Sequence, residues 1–214
     1  VVTENSGAGI EIKVDNSNNV YVVGSTAPTS VSGNYITFKY NSSGVKLWSA
    51  IYNGPANSLD DARAIDIDRL GNVYVTGSST GIGTGMDFAT IKYNSSGMQQ
   101  WEARYSLNGT FEDRVFDLVV DPMDNICITG RIFGNNGFEI ATIKYNPQGL
   151  TQWIQRYSGP RFNESRAIAA DGSGNVYITG TISGPDKSLD FITIKYLTDG
   201  RLEWSQRFAS PDGG

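Results

Sequence analysis

An all-β fold built from four copies of one repeated unit is predicted by three observations. The tryptophans, Trp48, Trp101, Trp153 and Trp204, are spaced by 53, 52 and 51 residues and account for every tryptophan in the chain. The dipeptides Lys39-Tyr40, Lys92-Tyr93, Lys144-Tyr145 and Lys195-Tyr196 keep the same intervals, as nearly do Asp15, Asp68, Asp121 and Asp171. No stretch places apolar residues at helical spacing over three turns, so a helical repeat array is excluded.

The second copy shows the elements in order. Ala62 to Asp68 (ARAIDID) and Asn72 to Gly77 (NVYVTG) are β-branched and aromatic-rich runs joined by the short link Arg69-Leu70-Gly71, which predicts a hairpin. Phe88 to Tyr93 (FATIKY), the turn Asn94-Ser95-Ser96-Gly97 and Gln99 to Tyr105 (QQWEARY) predict a second hairpin. Each copy therefore holds four strands, with copies at approximately 8–53, 61–106, 113–158 and 164–209 of one domain spanning 1–214.

The third strand is dry on both faces by pattern. Ile36, Ala89, Ala141 and Ile192 alternate with Tyr35, Phe88, Ile140 and Phe191, and a threonine recurs at Thr37, Thr90, Thr142 and Thr193. A sheet covered on both sides fits radially stacked four-stranded blades better than a two-sheet sandwich, which leaves one face of each sheet in water. The predicted architecture is a four-bladed β-propeller.

Composition narrows the function classes. The 214 residues are 39% hydrophobic and 11% aromatic, enough for a packed core, and the net charge of -5 shows no clustered Lys/Arg surface for nucleic acid. No apolar run reaches membrane-spanning length, so no membrane insertion is expected, and Val1 to Asn5 lack the charged and apolar regions of a signal peptide. The absence of histidine removes the commonest general base and metal ligand. Cys127 stands where other copies have Tyr21, Tyr74 and Tyr177, which predicts an inert core thiol. Asn41-Ser42-Ser43 and Asn94-Ser95-Ser96 fit the glycosylation acceptor pattern, but they read as hairpin turns.

The pattern D-x-x-G-N-V-Y-V-T-G at Asp68–Gly77, echoed at Asp171–Gly180, followed by T-I-K-Y-N-S-S-G-x-x-x-W, resembles the bacterial SBBP β-propeller repeat. Copies one and three depart from it at Asn18 and at Pro122, Met123 and Asp124, which alter turn shape. The resemblance implies a propeller of secreted or cell-surface bacterial proteins, with no general activity attached to the repeat. Gly44 to Trp48 is similar to the glycine-to-tryptophan spacing of quinoprotein propeller repeats, whose tryptophans dock adjacent blades, although the cofactor-binding residues of those enzymes have no counterpart. The Asp-box of sialidase-type propellers needs glycine three residues before the aromatic, whereas Gly97 precedes Trp101 by four.

A residue repeating once per blade in the last strand is expected to pack against the neighbouring blade, so the four tryptophans are assigned a structural role. The candidate binding residues lie on the longer connections, Asn53 to Asp61 and Ser78 to Met86 with their counterparts: Asp61, Arg63, Asp87, Asp113, Arg114, Glu139, Glu164, Arg166 and Asp190. The expected function is a non-enzymatic scaffold that binds a protein or glycan, or a structural module, with neither cofactor nor metal. The alternatives are a carboxylate-based glycoside hydrolase or lyase, which needs two converging acids, and a piece of a longer propeller without its own activity. A monomeric four-bladed ring or a homodimer completing a larger one would satisfy the need to cover blade faces.

Overall fold

The computed structural model describes residues 7–26, 32–107, 109, 111–134, 137–159, 161–184 and 188–209. Sixteen strands form four antiparallel four-stranded sheets, and no helix occurs among the described residues. Blade 1 comprises β1 (Gly7–Val14), β2 (Val20–Thr26), β3 (Tyr35–Tyr40) and β4 (Lys46–Tyr52). Blade 2 comprises β5 (Asp60–Ile67), β6 (Val73–Thr80), β7 (Met86–Tyr93) and β8 (Gln99–Tyr105). Blade 3 comprises β9 (Arg114–Val120), β10 (Ile126–Gly134), β11 (Gly137–Tyr145) and β12 (Thr151–Tyr157). Blade 4 comprises β13 (Asn163–Ala170), β14 (Val176–Ser183), β15 (Leu189–Tyr196) and β16 (Leu202–Phe208). Each sheet is a meander in sequence order, the blade of a β-propeller fold. The chain divides into two compact units, Val1–Thr110 and Phe111–Gly214, each of two blades. Residues 1–6 and 210–214, which carry the expectations about the two ends, lie outside the described residues.

The recurrent aspartate pins the first turn of each blade. Asp68 Oδ1 accepts the backbone N–H groups of Leu70 and Asn72, and its Oδ2 accepts Asn72 Nδ2 at 2.7 Å and the Tyr74 hydroxyl at 3.0 Å. Asp15 and Asp171 do the same with Asn19 and Tyr21, and with Asn175 and Tyr177. The tyrosine ring in turn carries the repeated lysine over its face, at 4.9 Å for Lys39, 5.1 Å for Lys92 and 5.3 Å for Lys195. In blade 3 the tyrosine is Cys127, so Lys144 drops onto the aspartate itself, 2.8 Å from Asp121 Oδ2, and donates to Gly174 O at 3.1 Å. Cys127 is fully buried, and burial pushes its thiol up to about 12, as expected of an inert core residue.

The departures from the repeat pattern at the first turn have a backbone cause. Gly71 and Gly174 hold φ of 75° and 77°, and Asn18 and Asp124 occupy the same left-handed conformation at 59° and 62°. Asn and Asp are the non-glycine residues that tolerate it best, so the turn survives. The other indispensable glycine is that of V-T-G in strand two. A Cβ on Gly77 would collide with the carbonyl oxygen of Asp61, where strand one bulges between Ala62 and Ala64.

Blades pack face to face within each unit. In the first, Tyr21, Val23, Tyr35, Tyr52 and Trp48 of blade 1 meet Ile65, Val73, Val75, Ala89, Ile91 and Tyr93 of blade 2. In the second, Ile140, Trp153 and Tyr157 of blade 3 meet Ile168, Val176, Ile178, Ile192, Ile194 and Tyr196 of blade 4. Two of the four tryptophans reach across a joint: Trp48 Nε1 donates to Ser95 O at 3.1 Å and Trp153 Nε1 to Thr198 O at 3.0 Å, each in the last turn of the following blade. Two backbone donors on the edge strands β5 and β13 are taken up across the same joints, Ile65 N by Glu11 Oε2 at 2.7 Å and Ile168 N by Asp117 Oδ2 at 2.9 Å.

The dry-on-both-faces pattern holds for strand three of blades 2 and 3 and partly fails elsewhere. Phe191 of blade 4 is 68% exposed although its counterparts Tyr35, Phe88 and Ile140 are buried. In blade 1, Ile36 is buried but Phe38 is only partly so.

Candidate functional site

Antiparallel strands send the tight turns to one end of each blade and the longer connections to the other. At the latter end the strands run further than the sequence suggests. Ser78, Ser79 and Thr80 belong to β6, and Asp60 and Asp61 pair with Ser79 and Ser78, so the connection shrinks to residues 81–85. Of the candidate residues, Asp61 and Arg63 lie on β5, Asp87 on β7, Arg114 on β9, Glu139 on β11, Glu164 and Arg166 on β13 and Asp190 on β15; Asp113 immediately precedes β9.

Each of these acids has a local partner. Asp61 pairs with Arg63 at 2.6 Å, Glu139 with Arg156 at 2.7 Å, and Asp190 with Arg207. Glu164 sits between two guanidinium groups, Arg131 and Arg166, each at 2.5 Å. Asp113 accepts the Phe133 backbone N–H at 3.1 Å, while Arg114 pairs with Glu112 at 2.8 Å. Among the described residues no group of three acidic or cysteine side chains is arranged to hold a metal ion.

Asp87 belongs to the most developed of these networks. Arg104 Nη2 donates to Asp87 Oδ2 at 2.9 Å and to Ser79 O at 2.7 Å, and its Nη1 donates to Ser79 Oγ at 2.7 Å and Tyr52 Oη at 2.9 Å. The Tyr52 hydroxyl donates to Glu102 at 2.7 Å; burial, reinforced by that carboxylate, pushes it up to about 12. Asp60 lies fully buried beside this group, accepting Gly54 N at 2.8 Å, and its burial raises its pKa. This network ties the last strand of blade 1 to blade 2.

Sequence reasoning missed the arginines that hold the acids. Arg104, Arg156 and Arg207 each stand three residues after a blade tryptophan, opposite the strand-three residue two positions beyond the acid, and reach back to that acid. Blade 1 has Asn34 and Ile51 at the two positions, so acid and arginine are both absent there. That joint change within one chain was a legible signal of pairing.

A second feature missed is aromatic. Phe111 and Phe133 stack with centroids 4.1 Å apart, Phe138 meets Phe133 edge-on at 5.3 Å, and Phe162 meets Phe138 at 5.8 Å. Arg131 lies over Phe138 at 4.6 Å, and Phe111 is 47% exposed. The ladder lies at the longer-connection end of the second unit, where Arg131 also pairs with Glu164, the carboxylate it shares with Arg166. Rings with a guanidinium offer apolar area, cation–π contact and charged donors together.

Among solved structures, the fold is similar to a protein of unknown function from Dyadobacter fermentans, at 12% identity, TM-score 0.60, and coverage of 94% of this chain and 68% of that one. It is also similar to a polysaccharide lyase, an ulvan lyase, at 9% identity, TM-score 0.57, and coverage of 92% and 55%. An α-L-arabinofuranosidase from Clostridium thermocellum aligns at 14% identity, TM-score 0.50, and coverage of 97% and 73%. At these identities the likeness is one of fold. An uncharacterized WD repeat-containing protein of Acanthamoeba polyphaga mimivirus, L264, is 26% identical over 187 residues, covering 70% of this chain and only 13% of that protein. Residues 47–83 and 152–185 match the sequence model of the SBBP family, described as a beta-propeller repeat, and each match runs from the last strand of one blade into strand two of the next or just beyond it. In these two segments the chain carries the SBBP β-propeller repeat.

Proposed function

We propose that this chain is a non-enzymatic propeller scaffold that binds a protein or glycan at its longer-connection end. The observation that carries this reading is the pairing of the acids. Asp61, Asp87, Glu139, Glu164 and Asp190 each face an arginine, and Asp113 accepts a backbone N–H. A glycoside hydrolase or lyase of carboxylate type needs an acid free to exchange a proton with substrate, and ion pairing commits these groups to architecture instead. The Phe111–Phe133–Phe138–Phe162 ladder with Arg131 offers what such acids do not: ring faces for apolar or sugar contact beside a cation. A secreted or cell-surface setting, implied by the repeat, belongs to the same proposal.

The test is a glycan array and a protein pull-down with the purified chain, repeated with Phe111→Ser and Arg166→Glu. Binding that weakens at least tenfold in both variants, with melting unchanged, supports the reading. Turnover of a polysaccharide by the chain, or binding that ignores both substitutions, overturns it.

A further inference from the structure

The lysine that recurs in strand three is satisfied differently from blade to blade. Lys144 of blade 3 is held by Asp121 at 2.8 Å and by Gly174 O at 3.1 Å, and Lys195 of blade 4 pairs with Glu203 at 2.6 Å. Lys39 of blade 1 is only 9% exposed, yet among the described residues its ammonium has no hydrogen-bond or ion-pair partner; it lies over the Tyr21 ring, 4.9 Å from the centroid. The carboxylates nearby are already filled. Asp15 accepts from Ser17 N, Asn19 N, Asn19 Nδ2 and the Tyr21 hydroxyl, and Asp68 from Leu70 N, Asn72 N, Asn72 Nδ2 and the Tyr74 hydroxyl. With two lone pairs on each oxygen, both groups are saturated.

Lys39 lines a cavity of about 440 Å³ at the tight-turn end of the joint between blades 1 and 2, together with Val14, Ser17, Ile67, Leu70 and Ser95. One residue accounts for the space. Ser17 holds the position that Met123 holds in blade 3, and there the Met123 methyl group lies 2.1 Å from where a Cβ on Gly174 would stand. Beside Gly71, the counterpart of Gly174, a Cβ would meet nothing nearer than Ser95 Cβ at 3.7 Å. The second unit therefore fills this place with a thioether and ties its lysine down, whereas the first leaves both the space and the ammonium open.

We infer that this cavity binds a small organic monocarboxylate, its carboxylate on Lys39 Nζ and its apolar body against Val14, Ile67 and Leu70. A buried ammonium without an acceptor costs free energy that an anionic oxygen recovers through charge-assisted hydrogen bonds. A ligand that mainly donates finds no lone pair on Asp15 or Asp68, so the ligand must accept. Its charge is set by the lining, in which Lys39 and Arg69 offset Asp15 and Asp68; a wall of no net charge suits one negative charge better than two. The volume exceeds what a bare oxyanion fills, and apolar walls with a few convergent polar groups are the usual composition of a small-molecule site.

Amide NMR titration of the whole isotope-labelled chain tests this, followed at Gly71 and Ser95 with benzoate and hexanoate as probes. Both carboxylates are expected to give saturable shifts there. Benzamide, which keeps the shape without the charge, and inorganic phosphate are expected to give none. Lys39→Met weakens benzoate binding about tenfold or more, the worth of one charge-assisted hydrogen bond. Ser17→Met, a change on an exposed residue, closes the cavity with the side chain that blade 3 carries and abolishes binding while Lys39 stays in place; it carries the test alone if Lys39→Met does not fold. Lys92→Met, which removes the corresponding ammonium over Tyr74, leaves binding unchanged. No saturable shift with either carboxylate, equal shifts from benzamide or phosphate, or binding that survives Ser17→Met or a folded Lys39→Met would each overturn the inference.

Discussion

Replacing the Asp87–Arg104 pair by the residues that blade 1 carries at the same positions gives a quantitative test of what the acids are for. Asp87 is almost fully buried, and its Oδ2 accepts from Arg104 Nη2 at 2.9 Å and from Thr84 Oγ1 at 2.8 Å. Arg104→Ile therefore leaves a buried carboxylate without its cation, a change that costs about 3–5 kcal/mol. Asp87→Asn keeps an acceptor for Arg104, whose remaining bonds to Tyr52 and Ser79 persist, and should cost about 1–2 kcal/mol. The double variant reproduces the Asn34 and Ile51 combination, contains no stranded charge, and should be no less stable than Arg104→Ile alone. The cycle thus predicts a favourable coupling of about 1–3 kcal/mol. Urea unfolding followed by tryptophan fluorescence measures it, with an unchanged m-value certifying the comparison. Additivity of the two single changes within about 0.5 kcal/mol would refute the assignment of Asp87 to an architectural ion pair.

Other outcomes follow from the same contacts. Trp48→Ala removes a half-buried indole with one interblade hydrogen bond and should cost about 2–4 kcal/mol by urea titration, below the fully buried range once its exposure is counted. Gly97→Ala should destabilise more than Gly44→Ala: both pay about 1–2 kcal/mol for the left-handed backbone, but only Gly97 also presses a methyl group onto Trp48 in the single chain. Lys144→Met should cost about 3–5 kcal/mol, since it strands buried Asp121, whereas Lys92→Met loses mainly a cation–π contact of about 0.5–1 kcal/mol. The Asp171 carboxyl is held down at about 2 by hydrogen bonds from Asn175, Ser173 and Tyr177, below its ordinary 3.8. Because the folded pKa is depressed, its contribution is present above about 3.8 and lost as pH falls toward 2; Asp171→Asn should flatten that part of the melting-temperature profile.

The repeat, the strand count and the interblade contacts of Trp48 and Trp153 were legible because each rests on a residue type recurring at a fixed interval. So was Cys127 as a core residue, since three tyrosines define its position. What stayed hidden depends on partners from separate stretches. Asp60, Asp61, Ser78 and Ser79 carry no strand signal, yet pair across β5 and β6 because the register of the hydrophobic residues below them continues upward. The Phe111–Phe133–Phe138–Phe162 ladder draws on four different segments and has no counterpart in blades 1 and 2 from which a period could be read. The exposure of Phe191 and Ile12 was equally illegible. Pattern assigns them the same burial as their counterparts, and only packing shows which blade faces are covered.

The single blade is the unit of pattern, but the pair of blades is the unit of chemistry. Strand-one acceptors alternate, with Glu11 and Asp117 in blades 1 and 3 against Ala64 and Ala167 in blades 2 and 4. Turn conformers alternate too, Asn18 and Asp124 against Gly71 and Gly174. In blades 2 and 4 the first residue of strand one folds its side chain onto a glycine N–H of the preceding connection, Asp60 onto Gly54 at 2.8 Å and Asn163 onto Gly159 at 2.9 Å. The two compact units coincide with these pairs, as do the two matched SBBP segments. The joint within each pair is therefore braced by a carboxylate of the odd blade that reaches a strand-one backbone N–H of the even blade, and opening it would leave that N–H without its acceptor.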